Sequence, residues 1–138
     1  MKILITGSCG FIGFNLTHHL LQKGFKIFGI DNIDNYYDIK IKIKRLKILK
    51  KSKKFEFRKI DISNYNAVKK IFNQNKFDFI INLAAQAGVR YSIKNPRKYL
   101  LSNTIGFYNI LENARIKSIK NIIFASSSSV YGYKKKFP

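Results

Sequence analysis

Gly7, Gly10 and Gly13 stand in the run Gly7-Ser8-Cys9-Gly10-Phe11-Ile12-Gly13, directly behind the apolar Lys2-Ile3-Leu4-Ile5-Thr6. Glycines so spaced, at a turn from strand to helix, suit the binding of a dinucleotide pyrophosphate. Gly7 permits the tight turn, Gly10 lets backbone approach the phosphate oxygens, and Gly13 lets the new helix pack closely on the sheet. The first-turn amides of that helix, together with its dipole, supply the anion site. The same spacing also occurs in purely structural turns, so the flanking pattern decides. Ile12, Leu16 and Leu20 recur at helical spacing, and Gly24 follows as a stop. A second apolar run, Lys26 to Ile30, ends on Asp31, eighteen residues beyond Gly13. An acidic residue near that distance holds the adenosine ribose hydroxyls in such sites; capping a following helix is its plainer role. No arginine lies between Asn32 and Asn35 to welcome a 2′-phosphate, which favours NAD over NADP. Cys9 lies inside the loop at a helix N-terminus, where the dipole lowers a thiol pKa. Modest reactivity, blocked by bound NAD, is expected there. His18 and His19 show no partner pattern and read as surface residues.

A chain of 138 residues holds one domain with a real core. No apolar stretch approaches the length of a membrane span, and the first strand starts at residue 2, which leaves no room for a signal peptide. The single cysteine fits a reducing cytoplasm. The charge is unusual: 27 basic against 7 acidic residues give +20, and eleven of the basic residues fall between Lys40 and Lys59. A basic stretch of this kind suits nucleic acid or an anionic membrane surface. Nucleic-acid modules usually interleave aromatics or glycines, however, and Lys40 to Lys54 has neither. The lysines read as a solvated face, with nucleic acid and membrane disfavoured as partners, while the positive field helps attract an anionic nucleotide.

Strand and helix patterns alternate throughout, which argues a parallel sheet with helices on both faces. Strands are expected at Lys2–Thr6, Lys26–Ile30, Phe55–Ile60, Asp78–Leu83 and Asn121–Ala125. Helices are expected at Phe11–Lys23, around Ile39–Lys50, at Tyr65–Asn73 and at Pro96–Ala114, with none after that. Ser63 or Asn64 caps the third helix, and Asn95-Pro96 opens the fourth. Right-handed crossovers then give a Rossmann-type doubly wound parallel sheet, strand order 3-2-1-4-5, with the cofactor across the carboxyl ends of the strands. No linker divides residues 1–138.

GSCGFIG, DNIDNYYD, NLAAQAGVRYS and FASSSSVYG, in this order, resemble the extended short-chain dehydrogenases/reductases, which include nucleotide-sugar epimerases and dehydratases. The AAQAGVRYS and DNxxxYYD segments are most similar to those of UDP-glucuronate 4-epimerases. The resemblance runs from Met1 to about Gly132. It implies that Asp31 and Asn32 take the adenosine ribose, that Asp61 and Ile62 flank the adenine, and that Phe11 and Ile12 lend amides to the pyrophosphate. Leu83, Ala84 and Ala85 would pass beneath the nicotinamide half, where a flat cofactor needs small side chains. Tight helix packing is the plainer reason for such alanines. Asn103 would hydrogen-bond within the cofactor site, unless it is an ordinary surface asparagine. Counting back from Val130-Tyr131-Gly132, Ser127 matches the family's catalytic hydroxyl, which holds the sugar hydroxyl being oxidised and helps carry its proton. Gln86, Arg90 and Tyr91 would sit at the substrate mouth with Ser128. Arg90 could meet a glucuronate carboxylate or a diphosphate, or be a surface arginine.

The family's base is a tyrosine in a Tyr-x-x-x-Lys motif beyond the serine, and Pro138 is reached first. Tyr131 and Lys135 match the spacing formally, but Tyr131 belongs to the Val-Tyr-Gly element, where a glycine turn replaces the required helix. The resemblance therefore implies an NAD-binding domain over 1–138, incomplete before the catalytic helix and the substrate domain. It would be the amino-terminal fragment of a cytoplasmic NAD-dependent nucleotide-sugar 4-epimerase acting on a UDP-sugar, and weak or inactive alone. A homodimer, or a second chain carrying the missing motif, is the implied partner. Alternatives are a dehydratase, decarboxylase or UDP-glucose 4-epimerase of the same family, and a non-catalytic NAD-binding module completed by another chain. No metal is implied.

Overall fold

Apolar alternation on β1 explains the layering. In the computed structural model, which describes residues 1–36 and 38–132, β1 (Lys2–Thr6) sends Leu4 to one face of the sheet and Ile3 and Ile5 to the other. Successive strand side chains point to opposite faces, so a strand apolar at every position is one covered on both sides. The helix α1 (Phe11–Gln22) and α2 (Ile39–Leu49) cover the Ile3/Ile5 face, with Leu16, Leu20, Leu46 and Leu49 packed on Ile27, Phe55 and Ile81. On the Leu4 face, α3 (Tyr65–Gln74) and α6 (Phe107–Ile116) bring Val68, Ile71, Phe72, Ile110 and Ala114 onto Phe28, Ile30 and Ile80. Phe28, Phe72, Ile80 and Ile110 are fully buried, each stabilising by about 1.5–3 kcal/mol relative to exposure.

The remaining strands are β2 (Lys26–Asp31), β3 (Phe55–Lys59), β4 (Phe79–Asn82) and β5 (Ile122–Phe124). All pairings are parallel, in the order β3-β2-β1-β4-β5 expected from the alternating pattern. Thr6 lies level with Ile30 on one side and Asn82 on the other, so these strands end together and their loops converge. Asn64 caps α3 by accepting from the Ala67 N–H (3.0 Å), and Gly24 takes the left-handed conformation (φ 89°) just past α1.

Two expectations need correcting. The helix expected at Pro96–Ala114 is α5 (Pro96–Tyr99), a π-helical stretch over Leu100–Gly106, and α6. A π turn is a local widening that often accompanies functional positions, and apolar spacing does not announce it. A short helix, α4 (Val89–Lys94), also stands between β4 and α5, where none was expected, and a 3-10 turn spans Ser128–Tyr131. Tyr37 of the DNIDNYYD run and Tyr133–Pro138, with Lys135 of the formal Tyr-x-x-x-Lys spacing, lie outside the described residues.

Candidate functional site

At the carboxyl ends of the strands the loops enclose a cavity of about 570 Å³. Its first wall is the glycine loop. Gly7 has φ +68°, and a Cβ there would come within 2.9 Å of the Leu83 and Ala84 backbone. A Cβ on Gly13 would lie 2.0 Å from the Gly7 carbonyl oxygen. The loop is thus pressed between the start of α1 and the segment leaving β4, which only bare backbone allows. Gly10 begins α1 without any side-chain cap, and the first turn carries no acidic residue. Its leading amides, at Phe11, Ile12 and Gly13, line the cavity and suit an anion.

Asp31 sits at the tip of β2, buried, and lines the same cavity. Its Oδ2 accepts from the Cys9 N–H (3.0 Å) and its Oδ1 from the Ile33 N–H (2.8 Å). The plainer role considered for it, capping the next helix, belongs instead to Asp38, which accepts from the Lys40 N–H. Ile33 takes φ 54°, an uncommon conformation for a β-branched residue. Beside it, Asn32 donates to Asp61 Oδ2 (2.9 Å). Burial disfavours the charge on Asp61, yet the bonds from the Asn32 amide, the Ser63 hydroxyl and the Ser63 N–H outweigh it and hold the carboxyl below its ordinary value. Asp61 and Ile62 line the cavity just past β3. Asn109 on α6 fixes this turn from behind, donating to the carbonyls of Ile62 (2.8 Å) and Ser63 (3.1 Å).

The floor is Leu83, Ala84 and Ala85. Thr6, fully buried, holds it: its hydroxyl donates to Asn82 Oδ1 (2.8 Å) and accepts from the N–H groups of Leu83 (3.1 Å) and Ala84 (2.9 Å). Gln86 follows into the lining. Asn103, in the π-helical stretch, is exposed and spends both ends of its side chain on the Gln86 backbone, accepting from its N–H (2.7 Å) and donating to its carbonyl (3.0 Å). Its neighbour Ser102, not Asn103, faces the cavity.

Other expected residues stand apart. Ser127 accepts from the Ser129 N–H (3.2 Å) and starts the exposed 3-10 turn that holds Ser128; Ala125, two residues earlier, reaches the cavity instead. Arg90 is exposed on α4, outside the lining. The Cys9 expectation is overturned. The thiol is fully buried, and burial, then the Asp31 charge, push its pKa up to about 12, against a dipole effect that assumed an open loop. His19 is exposed, whereas His18 is partly covered and stacks on Phe14 at 5.9 Å.

The basic helix α2 is not wholly a solvated face. Lys42, with only 12% of its side chain exposed, lies 3.6 Å from Asp31. Arg45 donates to the Cys9 carbonyl (3.3 Å), and its guanidinium sits 5.8 and 5.9 Å from the Phe11 and Phe14 rings. Both line the cavity. Spacing could have found them: Lys42, Arg45, Leu46 and Leu49 fall at i, i+3, i+4 and i+7, one face of a helix, and they are the residues of α2 that are not exposed. Thr6, Asn82 and Asn109 gave no such signal, since an isolated polar residue in an element looks the same buried or exposed. None of the described helices is long and apolar enough to cross a membrane.

Comparison with known proteins places this geometry. The family model for GDP-mannose 4,6 dehydratase matches residues 4–138. Protein CapI of Staphylococcus aureus is 51% identical over 132 residues, covering 96% of this chain and 39% of that protein. A UDP-glucuronate 4-epimerase of Thermodesulfobacterium geofontis is 44% identical over 128 residues, covering 93% and 40%. The Bacillus cereus UDP-glucuronic acid 4-epimerase, solved in complex with UDP-glucuronic acid and NAD, is 33% identical with a TM-score of 0.89, covering 99% of this chain and 43% of that one. The chain therefore spans about 40% of the length of the curated relatives it matches. With that match across nearly all its residues, and with a glycine loop, Asp31 and a small-residue floor around one cavity, the chain belongs to the GDP-mannose 4,6 dehydratase family.

Proposed function

We propose that the cavity takes NAD, and that residues 1–138 are the dinucleotide-binding domain of a cytoplasmic UDP-glucuronate 4-epimerase. One observation carries the reading: an uncapped helix start, a buried carboxylate and a small-residue floor converge on one cavity at the carboxyl ends of the strands. The amides of Phe11, Ile12 and Gly13, approached across Gly7 and Gly10, suit a diphosphate. Asp31 and Asn32 suit a ribose diol, Asp61 and Ile62 suit the rim of an adenine, and Leu83, Ala84 and Ala85 admit a flat ring. Asn103 acts through Gln86, whose backbone it holds.

NAD, when bound, supplies a reversible hydride acceptor for sugar carbon 4. The chain's own residues would position and exclude. Ser127 hydrogen-bonds the carbon-4 hydroxyl and helps carry its proton, with Ser128 and Gln86 against the sugar. Arg90 offers its fork to the glucuronate carboxylate or the diphosphate. A homodimer, or a complementing chain that carries the general base, belongs to the proposal as partner. The identity to UDP-glucuronate 4-epimerases supports the choice of sugar.

Titration calorimetry on the folded chain tests this. NAD should give saturable heat, NADP less, and UDP-glucuronate should bind the NAD-loaded chain more tightly than UDP-glucose. Absence of heat with NAD on well-folded protein sinks the dinucleotide reading; a preference for UDP-glucose sinks the sugar.

A further inference from the structure

We propose that Tyr36, Gly88 and Tyr91 form a clasp that ties the two lips of the cavity together and slows release of the dinucleotide held there, an inference that rests on the dinucleotide reading above. One lip is the β2–α2 loop, which puts Asp34 and Tyr36 into the cavity lining; the other is the β4–α4 loop, which contributes Gln86 and Ala87. The lips are fastened to each other at several points. The Tyr36 and Tyr91 rings lie 4.5 Å apart, tilted by 38°, and Tyr91 continues to Tyr99 at 6.3 Å. Lys98 reaches Asp34 at 3.3 Å while standing 5.7 Å over the Tyr91 ring. Gly88, at φ +101°, makes the fit possible, since a Cβ there would come 2.6 Å from the Tyr36 hydroxyl.

The β4–α4 lip is itself held from behind. The Tyr99 hydroxyl is shared between the carbonyls of Ala87 (2.6 Å) and Gly88 (2.5 Å), and Asn103 grips Gln86. The β2–α2 lip is stiffened by Asp31 and Asn32, which accept from the N–H groups of Ile33 and Asp34. Two stiff loops joined by an aromatic pair must part before a ligand wedged between them leaves. Contacts broken on the way out, and reformed after entry, act on the dissociation rate.

The full chain, loaded with NADH and mixed with excess NAD in a stopped-flow fluorimeter, reports the off-rate; mixing NADH with free chain reports the on-rate. Tyr91→Ala and Gly88→Ala should speed release about tenfold, the scale of one lost aromatic pair, with the on-rate within about twofold. Tyr91→Phe, which keeps the ring and gives up only the hydroxyl that Lys98 hydrogen-bonds, should release within about twofold of the wild-type rate. Thermal melts identify folded variants, and if Gly88→Ala does not fold, Lys98→Ala serves as the second variant with a smaller acceleration. Unchanged release from folded variants overturns the clasp and leaves the dinucleotide reading standing. A slower on-rate with unchanged release also overturns it, by assigning the cluster a purely structural role. No NADH binding by folded wild-type chain overturns both.

Discussion

Replacing Thr6 with valine changes one buried atom group and little else in shape. The Thr6 hydroxyl makes three hydrogen bonds, one as donor and two as acceptor, which is its full capacity. Asn82 is buried, so its orphaned Oδ1 would bear the unpaired penalty of about 1–3 kcal/mol. Leu83 and Ala84 are half-buried, and their N–H groups can turn to water, each losing about 0.5–1 kcal/mol. The sum is about 3 kcal/mol for Thr6→Val. For a chain between the small and mid-sized classes, that lowers the melting temperature by about 10 °C. Thr6→Ser keeps the hydroxyl and loses a methyl, so it should fall by about 1 kcal/mol. Urea unfolding followed by circular dichroism measures both, with an unchanged slope confirming that the folded state is intact. NAD affinity, followed by calorimetry, should drop in Thr6→Val because the floor at Leu83–Ala85 loses its tether. A Thr6→Val chain within about 0.5 kcal/mol of wild type would refute the assigned role of the hydroxyl.

Two further outcomes are expected. Asp61 titrates lower in the folded chain than its ordinary 3.8, so it adds stability above that value, and the contribution is lost as pH falls through the folded value. The melting-temperature gap between wild type and Asp61→Asn should therefore narrow as pH is lowered from neutral to below 3.8; a constant gap speaks against the hydrogen bonds from Asn32 and Ser63. Cys9, with its thiol raised to about 12 inside the loop, should resist iodoacetamide in the folded chain at mildly alkaline pH, with or without NAD, and react only on unfolding. Labelling of the native chain at the rate of a free thiol would contradict this.

Legibility followed physical scale. The central strands were readable because a strand covered on both faces is apolar along its middle, as Ile3, Leu4 and Ile5 are. Edge strand β3 instead alternates Phe55, Glu56, Phe57 and Arg58. The glycine loop and Asp31 were readable because the turn and the strand tip constrain residue type directly. What lay beyond was set by partners remote in sequence. Thr6 meets Asn82 across 76 positions, and Arg45 meets Cys9 across 36. The π-helical stretch, from which Ser102 reaches the cavity, carries no sequence mark that sets it apart from an ordinary helix. Cys9 misled for the same reason: a dipole argument sees the helix, not the neighbours that enclose the thiol.

At position 13 not even a methyl group can be admitted, because the carbonyl oxygen of Gly7 already occupies that space. Selection on the backbone alone would retain this glycine in a descendant that had given up nucleotides altogether. A pattern search that finds the three glycines therefore reports architecture first. Chemistry is better sought at the tip of the neighbouring strand, where the Asp31 carboxylate faces the cavity while tying the glycine loop, through the Cys9 N–H, to its own loop, through the Ile33 N–H.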